Sequence, residues 1–386
     1  MTVEKKTLIK KIDPEQFEDR ELSEAIDILK SGGLVAFPTE TVYGLGGNAY
    51  DSTASARIYA AKGRPSDNPL IVHISSFEEI YPLVKEVPED AKRLAESFWP
   101  GPLTMILEKS EAVPKETTGG LDTVAIRMPS HPIANRLIKE AHIPIAAPSA
   151  NASGRPSTTR AEHVIEDLDG KIDMIIDGGS SDIGLESTIV DLTVSPRLIL
   201  RPGYITYEML KEVIRDIKYD PAVLKRERDD KIVAKAPGMK YRHYAPKGEL
   251  TIFEGNMKSV ANAIKREVRE KLLGGFNVGI LTSDELAGEY KELKEEFGML
   301  LAEALPGTGD PEKKGRLYIR DIGSRTDEAA IAAGLFEALR SFDSEKTDFI
   351  YAESFDSRDI GQAIMNRLMK AAGYRIVTVN DSNDTF

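Results

Sequence analysis

Short apolar runs alternate with amphipathic stretches through the first two hundred residues, and this alternation restricts the fold more than any other feature of the chain. Eight runs of three to six residues predict β-strands, at Leu34–Phe37, Leu70–Ile74, Leu103–Leu107, Val124–Ile126, Ile143–Ala147, Met174–Ile176, Ser187–Leu192 and Arg197–Leu200. Helices are predicted between them at Gln16–Lys30, Thr53–Lys62, Pro88–Phe98, His131–Ala141 and Arg160–Leu168. This pattern is typical of a twisted, open α/β sheet.

A second alternation of the same kind begins at Leu250, after a charged passage that changes the character of the chain. Strands are predicted at 250–253, 278–281, 316–319, 348–352 and 374–379, with helices at 328–341 and 360–372. A further helix carries Val260, Ile264, Val268 and Leu272 on one face and ends at Gly274-Gly275. We therefore predict a first domain at 1–212, a linker at 213–248 and a smaller parallel α/β domain at 249–386.

Composition excludes several classes of function. The chain has no cysteine, which rules out disulfides, thiolate zinc sites and a cysteine nucleophile. Its net charge of −12 disfavours broad attraction to nucleic acid or to anionic membranes. The five histidines lack the helical spacing of a paired metal site, so we expect none. No apolar stretch approaches the roughly 20 residues of a membrane span, and the N-terminal residues lack a signal segment, so we expect a cytoplasmic protein.

Two polar turns stand where predicted strands and helices meet. Lys62-Gly63-Arg64 follows a predicted helix, and its two cations are suited to gripping phosphate or carboxylate oxygens. Ser149-Ala150-Asn151 follows a predicted strand. Each has a plainer interpretation, because exposed Lys and Arg are common and Ser and Asn are ordinary turn residues.

Further polar side chains recur at the ends of predicted strands. Arg127, Arg201 and the segment Glu186-Ser187-Thr188 all occupy such positions. Ligands of open α/β sheets bind at strand ends, so these groups are predicted to face one cleft. His73 lies in an apolar run that follows the cationic turn, where it could contact a substrate or serve as a hydrogen-bonded core histidine.

Two glycine-rich segments resemble phosphate-binding motifs only loosely. Gly44–Ala49 matches G-x-G-x-x-A, but a polar segment separates it from the preceding strand and no acidic residue follows at the expected distance. We interpret its glycines as turn residues. Gly307–Asp310 fits no phosphate-loop template and is predicted to be a surface loop.

Three motifs together resemble one known family. Pro38–Leu45, Lys62-Gly63-Arg64 and Ser149-Ala150-Asn151 are similar, in type and order, to those of the Sua5/YciO/YrdC family of threonylcarbamoyl-AMP synthases. The resemblance covers about residues 10 to 210, and the linker and second domain resemble the longer, Sua5-type architecture. It implies a YrdC-like catalytic domain followed by a Rossmann-like parallel α/β domain.

The resemblance implies a nucleotidyltransferase that condenses L-threonine, bicarbonate or CO2, and ATP to threonylcarbamoyladenylate and pyrophosphate. This product leads to N6-threonylcarbamoyladenosine in tRNA. The implied cofactor is Mg²⁺, bound with ATP and without a dedicated protein site. The implied partners are a downstream threonylcarbamoyl transferase complex and tRNA, with no membrane partner; whether tRNA binds this chain directly is left open by the sequence.

The resemblance also assigns residues to roles. The catalytic residues would be Lys62 and Arg64. ATP would contact Arg64, Asn68, Thr123, Ser149, Asn151, Ser157, Arg201 and Tyr244. Threonine would contact Thr41, His73, Arg127, Ala147 and Ser187. The linker, with His243 and Tyr244, would fold over the cleft and protect the labile adenylate from water. Its plainer interpretation is domain docking.

A different class of function remains open on the sequence. Lys62, Arg64, Arg127 and Arg155 could line a groove for folded RNA, in which case the protein would bind RNA without turning over ATP.

Overall fold

The computed structural model describes residues 6–227, 235–237, 239, 243–303 and 315–380. Its contacts divide the chain into two compact units, Met1–Tyr241 and Arg242–Phe386. None of the helices in these described ranges is both long and apolar enough to cross a membrane.

The first unit is built on one mixed sheet, in which the described strands number eleven. In chain order they are β1 Leu8–Lys11, β2 Val35–Phe37, β3 Gly44–Asn48, β4 Ile71–His73, β5 Leu103–Glu108, β6 Thr123–Arg127, β7 Ile145–Ala146, β8 Met174–Asp177, β9 Thr188–Asp191, β10 Arg197–Arg201 and β11 Ile217–Tyr219. Their order across the sheet is β1-β8-β2-β3-β7-β4-β6-β5-β9-β10-β11. All eight predicted strands are present; β1, β3 and β11 were not predicted.

Seven described α-helices accompany this sheet, at α1 Ser23–Lys30, α2 Ser52–Lys62, α3 Glu89–Phe98, α4 Pro132–Ala141, α5 Ala161–Leu168, α6 Tyr207–Val213 and α7 Pro221–Leu224. The helix predicted to begin at Gln16 begins at Ser23, after a 3-10 turn at Asp19–Glu21. The other four predicted helices are confirmed to within one residue at each end. Helix α2 starts where Asp51 accepts from the Thr53 N–H and ends at Gly63 in the left-handed conformation.

The two faces of the sheet are covered differently. Helices α2, α3, α5 and α6 contribute to a large apolar cluster on one face. On the other face, α1 and α4 form an apolar cluster with side chains of β2, β7 and β8. The strands β4, β6, β5, β9 and β10 present a small apolar patch there instead, and Ala236 and Met239 of the linker pack on it. We call this half of the sheet surface the open face.

The glycines of Gly44–Ala49 are strand residues, so their interpretation as turn glycines was wrong. Gly44–Asn48 forms β3, which pairs with β2 and β7 in antiparallel fashion. A Cβ atom on Gly46 would lie 2.7 Å from Phe37 and 2.8 Å from Ile145. Glycine therefore lets large neighbours close over β3, and the strand–turn–helix geometry of a dinucleotide motif is not formed here.

The second unit contains a parallel five-stranded sheet, as predicted. Its strands are β12 Glu249–Gly255, β13 Val278–Thr282, β14 Leu317–Asp321, β15 Phe349–Glu353 and β16 Ile376–Val379, in the order β14-β13-β15-β12-β16. Its helices are α8 Met257–Leu273, α9 Asp284–Glu303, α10 Glu328–Ser344 and α11 Asp359–Ala371. The predicted apolar face of α8 is buried. Helix α9 was not predicted, and the loop predicted at Gly307–Asp310 lies outside the described residues.

Candidate active site

A row of side chains crosses the open face of the first sheet. Strand register pairs His73 with Arg127, Arg127 with Thr104, Thr104 with Ile189, and Ile189 with Arg201. Directly paired residues on neighbouring strands project from the same side of a sheet. Arg127 and Arg201 therefore project from the same side of the sheet although they are far apart in the sequence. We call His73, Arg127, Thr104, Ile189 and Arg201 the cross-strand row.

Arg201 reaches this surface because β10 is irregular. Regular alternation would place Arg201 on the same side as Ile199, which belongs to the helix-covered face. The register shifts between Ile199 and Arg201, so Arg201 pairs with Ile189. An inserted residue of this kind redirects the side chains that follow it. The bulge thus adds a second cation to the row.

The guanidinium of Arg127 is held by the segment Pro38–Tyr43. Its Nη1 donates to Thr41 Oγ1 at 2.8 Å, and its Nη2 lies 2.6 Å from Glu40 Oε1. Both charged side chains are buried. Burial, the largest single influence, would raise the pKa of Glu40, but the Arg127 charge together with hydrogen bonds from Arg127 and from the backbone of Glu40 and Ser130 keeps that pKa below its usual value. Glu40 is therefore ionised at neutral pH.

His73 is a buried core histidine, which is one of the two interpretations left open by the sequence. It is buried, with Nδ1 3.1 Å from the Ile71 carbonyl oxygen, and it also occupies the cross-strand row beside Arg127. Burial, reinforced by the Arg127 charge, lowers the pKa of His73 to about 3. The imidazole is therefore neutral at physiological pH and adds no charge to the site.

Ser187 connects Arg201 to the centre of the row. Arg201 Nε donates to the Ser187 carbonyl at 3.0 Å and Nη2 donates to Ser187 Oγ at 3.1 Å. The Ser187 hydroxyl also shares a hydrogen bond of 2.7 Å with Thr104 Oγ1. Arg201, expected with the nucleotide, thus contacts a residue expected with threonine.

The two polar turns predicted from the sequence meet in the structure. Lys62 Nζ donates to the carbonyl oxygens of Ser149 and Asn151, each at 2.5 Å. Ser149 Oγ donates to Asn151 Oδ1, and Ser149 is bridged to Gly44 at the start of β3. Lys62 is buried rather than solvated. The cation therefore ties the end of α2 to the turn after β7.

Arg64 and Asn68 follow the end of α2, shortly after Lys62 in the chain. Arg64 Nε donates to the Asn68 carbonyl at 3.1 Å and Nη2 donates to the Pro69 carbonyl at 3.0 Å. Asn68 is buried, and its Oδ1 has no hydrogen-bond partner among the described residues. A buried amide oxygen without a partner is suited to accepting a hydrogen bond from a ligand.

The remaining four predicted residues lie at four different places. Thr123 lies on the same side of β6 as Arg127, four residues away, which corresponds to about 13 Å along a strand. The Ala147 N–H donates to the Ile71 carbonyl at 2.8 Å, beside the apolar patch. Ser157 Oγ donates to Glu186 Oε1. Tyr244 belongs to the second unit, where it packs on Phe336 with ring centroids 5.2 Å apart.

Comparison with known proteins agrees with the motif resemblance. A family profile described as "Telomere recombination" (Sua5/YciO/YrdC) matches residues 27–203, and one described as "Threonylcarbamoyl-AMP synthase, C-terminal domain" matches residues 205–373. The sequence is 48% identical to a threonylcarbamoyl-AMP synthase of Pyrococcus abyssi, over 95% of this chain and 98% of the relative. The chain belongs to the Sua5 family. The resemblance predicted from three short motifs is thereby confirmed.

Two further similarities extend over the whole length. A threonylcarbamoyl-AMP synthase of Bacillus subtilis is 47% identical over 93% of this chain and 95% of its own. A crystal structure of P. abyssi Sua5 complexed with L-threonine matches with a TM-score of 0.84 and 46% identity, over 97% of this chain and 100% of the other. The similarity to these proteins therefore covers nearly the whole chain.

Membership of the Sua5 family agrees with the burial of the cations. The alternative prediction, a groove for RNA, needs accessible cations that neutralise phosphates. Lys62 and Arg127 are each only 4% exposed. Arg155 is ion-paired with Asp167 and Glu166. Cations that are buried or ion-paired in this way are poorly placed to neutralise the phosphates of RNA.

Sequence reasoning overlooked two side chains at this Sua5 site, Glu40 and Thr104. Glu40 adjoins the predicted site residue Thr41 in the chain, but nothing in the sequence indicates which way it points. Thr104 is a hydroxyl residue within an otherwise apolar strand, and its odd position could have identified it. Within the described ranges, no group of three or more His, Asp or Glu side chains could hold a metal ion.

Proposed function

We propose that this chain condenses L-threonine, bicarbonate or CO2, and ATP to L-threonylcarbamoyladenylate and pyrophosphate. One observation supports this most directly: the cross-strand row lies on the half of the sheet that the described helices leave open, with cations at its centre and at its edge. The reactants are anions, and a partly buried site with fixed cations can hold them together.

The chemistry needs no covalent intermediate with the protein. The threonine amine takes up CO2 to form a carbamate, one carbamate oxygen attacks the α-phosphorus of ATP, and pyrophosphate leaves. We assign the threonine end to Arg127, Thr41, His73, Ser187 and Ala147. The Arg127 guanidinium would bind the amino acid's carboxylate, and the neutral imidazole of His73 would line the same pocket.

The nucleotide end is assigned to Arg64, Asn68, Thr123, Ser149, Asn151, Ser157 and Arg201. Thr123 and Arg127 are separated along β6 by about 13 Å, enough for an amino acid and part of a nucleotide placed end to end. Lys62 and Arg64 are the proposed catalytic residues, because they stand close to the phosphates in this assignment. Catalysis then depends mainly on positioning and charge stabilisation.

Mg²⁺ would enter as part of the substrate MgATP. The donors of the described residues fit this arrangement, because Mg²⁺ commonly keeps several waters and binds through substrate phosphates instead of a complete protein cage. The ion would neutralise charge on the departing pyrophosphate. A cytoplasmic location and delivery of the product to a transferase complex complete the proposal.

The linker proposal concerns residues 213–248, between domains at 1–212 and 249–386. Ala236 and Met239 pack on the apolar patch of the open face, directly beside the cross-strand row. This supports a linker that shields the adenylate from water. Tyr244 is proposed to contact ATP when the linker closes, with His243 beside it.

The decisive experiment measures pyrophosphate release and adenylate formation by the full chain with ATP, labelled bicarbonate and each amino acid in turn. We expect product to form only when threonine is present.

Lys62→Ala and Arg64→Ala should each lower turnover by about 10²-fold, the usual scale for removing one electrostatic stabiliser. Lys92→Ala, which removes an exposed lysine from α3, is the control. Normal turnover in both site variants would remove these residues from the mechanism, and turnover without threonine would refute the function.

A further inference from the structure

Two adjacent residues of one loop hold the guanidinium of Arg127. Glu40 Oε1 lies 2.6 Å from Nη2, and Thr41 Oγ1 accepts from Nη1 at 2.8 Å. Nε points to the Gly101 carbonyl at 3.4 Å. A guanidinium has five N–H donors. Nη2 is ion-paired with Glu40 but makes no hydrogen bond of good geometry within the described residues, so Nη1 and Nη2 each keep at least one donor that is not hydrogen-bonded. Two parallel donors of this kind match the two oxygens of a carboxylate.

The backbone that carries Glu40 is fixed on both sides. Thr39 Oγ1 donates to the Val42 carbonyl at 2.6 Å and accepts from the Thr41 N–H at 3.2 Å. The Ile183 N–H donates to the carbonyl of Glu40 at 2.9 Å. Because the loop is held by these bonds, the Glu40 carboxylate is a rigid reference point for Arg127.

Stability alone does not account for this pair. Glu40 and Arg127 are 6% and 4% exposed, and the desolvation of a buried pair usually offsets most of the attraction between its charges. A buried ion pair does fix orientation, because each side chain is restricted to one conformation by the other. The main effect of the Glu40–Arg127 pair is therefore to set the direction in which Arg127 points.

We propose that Glu40 is a positioning residue for the threonine end of the site. It holds Nη2 while Thr41 holds Nη1, so that the two remaining donors face the carboxylate of the bound amino acid. Glu40 itself does not touch the substrate. This inference rests on the role of Arg127 in the proposed function.

The test is Glu40→Gln, which keeps the shape of the side chain and removes its charge. We expect the KM for threonine to rise about tenfold, equivalent to losing one charge-assisted hydrogen bond, while the KM for ATP changes less than twofold. Glu40→Asp, which keeps the charge on a shorter side chain, should recover part of the loss. An unchanged KM for threonine, or equal increases for both substrates, would overturn the proposal.

Two controls separate positioning from folding and from the function itself. Glu353→Gln neutralises another buried glutamate that is paired with an arginine, Arg325 in the second unit, and should leave both KM values unchanged. Arg127→Lys combined with Glu40→Gln should cost little more than Arg127→Lys alone, because Glu40 acts through Arg127. Full additivity of the two substitutions would contradict this.

If Glu40→Gln does not fold, the test is threonine binding to Glu40→Asp, measured by calorimetry. An affinity equal to that of the wild type would then overturn the proposal. Failure of the wild-type chain to form adenylate would instead refute the proposed function.

Discussion

At the scale of single residues, the site is organised by how charges are buried. Arg127 is paired with Glu40 and adjoins His73, whose neutral imidazole avoids a second positive charge next to the guanidinium. Lys62 is directed by backbone carbonyl oxygens and Arg201 by Ser187. Each cation is thus oriented by fixed acceptors before any substrate arrives, which reduces the reorganisation that binding requires.

The pKa of His73 leads to a prediction about acid stability. It falls from 6.5 to about 3 on folding, so between these pH values the unfolded chain binds a proton that the folded chain does not. Stability is therefore lost as pH falls below 6.5. The wild type should lose about 2 kcal/mol between pH 6.5 and pH 5 through this residue, at about 1.4 kcal/mol per pH unit.

His73→Gln should lack this part of the pH dependence. Urea unfolding can be followed by the fluorescence of Trp99, which is the single tryptophan of the chain and lies in the first unit. His142→Asn removes an exposed histidine at the end of α4 and serves as the control. Equal pH dependence in His73→Gln and wild type would contradict a neutral buried His73.

At the scale of elements, the sequence predicted most strands and helices but not the features that complete the site. Apolar runs identified β4, β5, β6, β9 and β10, because buried strands are dense in apolar residues. The run Gly44–Asn48 contains too few large side chains to indicate a strand, and β3 was missed for that reason. The bulge in β10 could not be predicted from the sequence either, because it depends on how β10 pairs with β9.

The close packing of β3 gives a prediction about stability. Gly46→Ala should lower the free energy of unfolding by about 1–3 kcal/mol, because the added methyl group would overlap Phe37 and Ile145. Gly288→Ala in α9 meets no atom within 4 Å and should raise helix stability by up to about 1 kcal/mol. Trp99 fluorescence reports the first change and far-UV circular dichroism the second. Similar effects of the two substitutions would count against tight packing at β3.

At the scale of the whole molecule, three short motifs were sufficient to predict the family, because each contains polar or charged residue types that a binding site for anions requires. They were not sufficient to predict the neighbours of those motifs. Thr104 and Glu40 join the site only through strand register and loop conformation, which a single sequence does not encode locally. The pairing of Arg201 with Ser187 likewise required coordinates. The family was therefore easier to predict than the contacts of the candidate site residues.

The linker gives a prediction at this scale. Ala236→Asp would place a charge on the apolar patch formed with Ile71, Ala125 and Leu200, so the linker should detach. We expect lower yield of adenylate per ATP consumed and faster proteolysis of the linker, with unchanged Trp99 fluorescence. Ala112→Asp makes the same substitution at an exposed position. Full yield and normal protease resistance in Ala236→Asp would show that this contact does not protect the product.

The open face also affects how water is excluded from the hydrophobic core of the first unit. A sheet of this kind normally has a layer of helices on each side, and here one layer is incomplete. A strip of linker takes the place of the missing helices over the apolar patch. The surface that the described helices leave uncovered is thus the one where chemistry is proposed to occur, and its apolar part is kept from water by a segment whose removal would unfold no described helix.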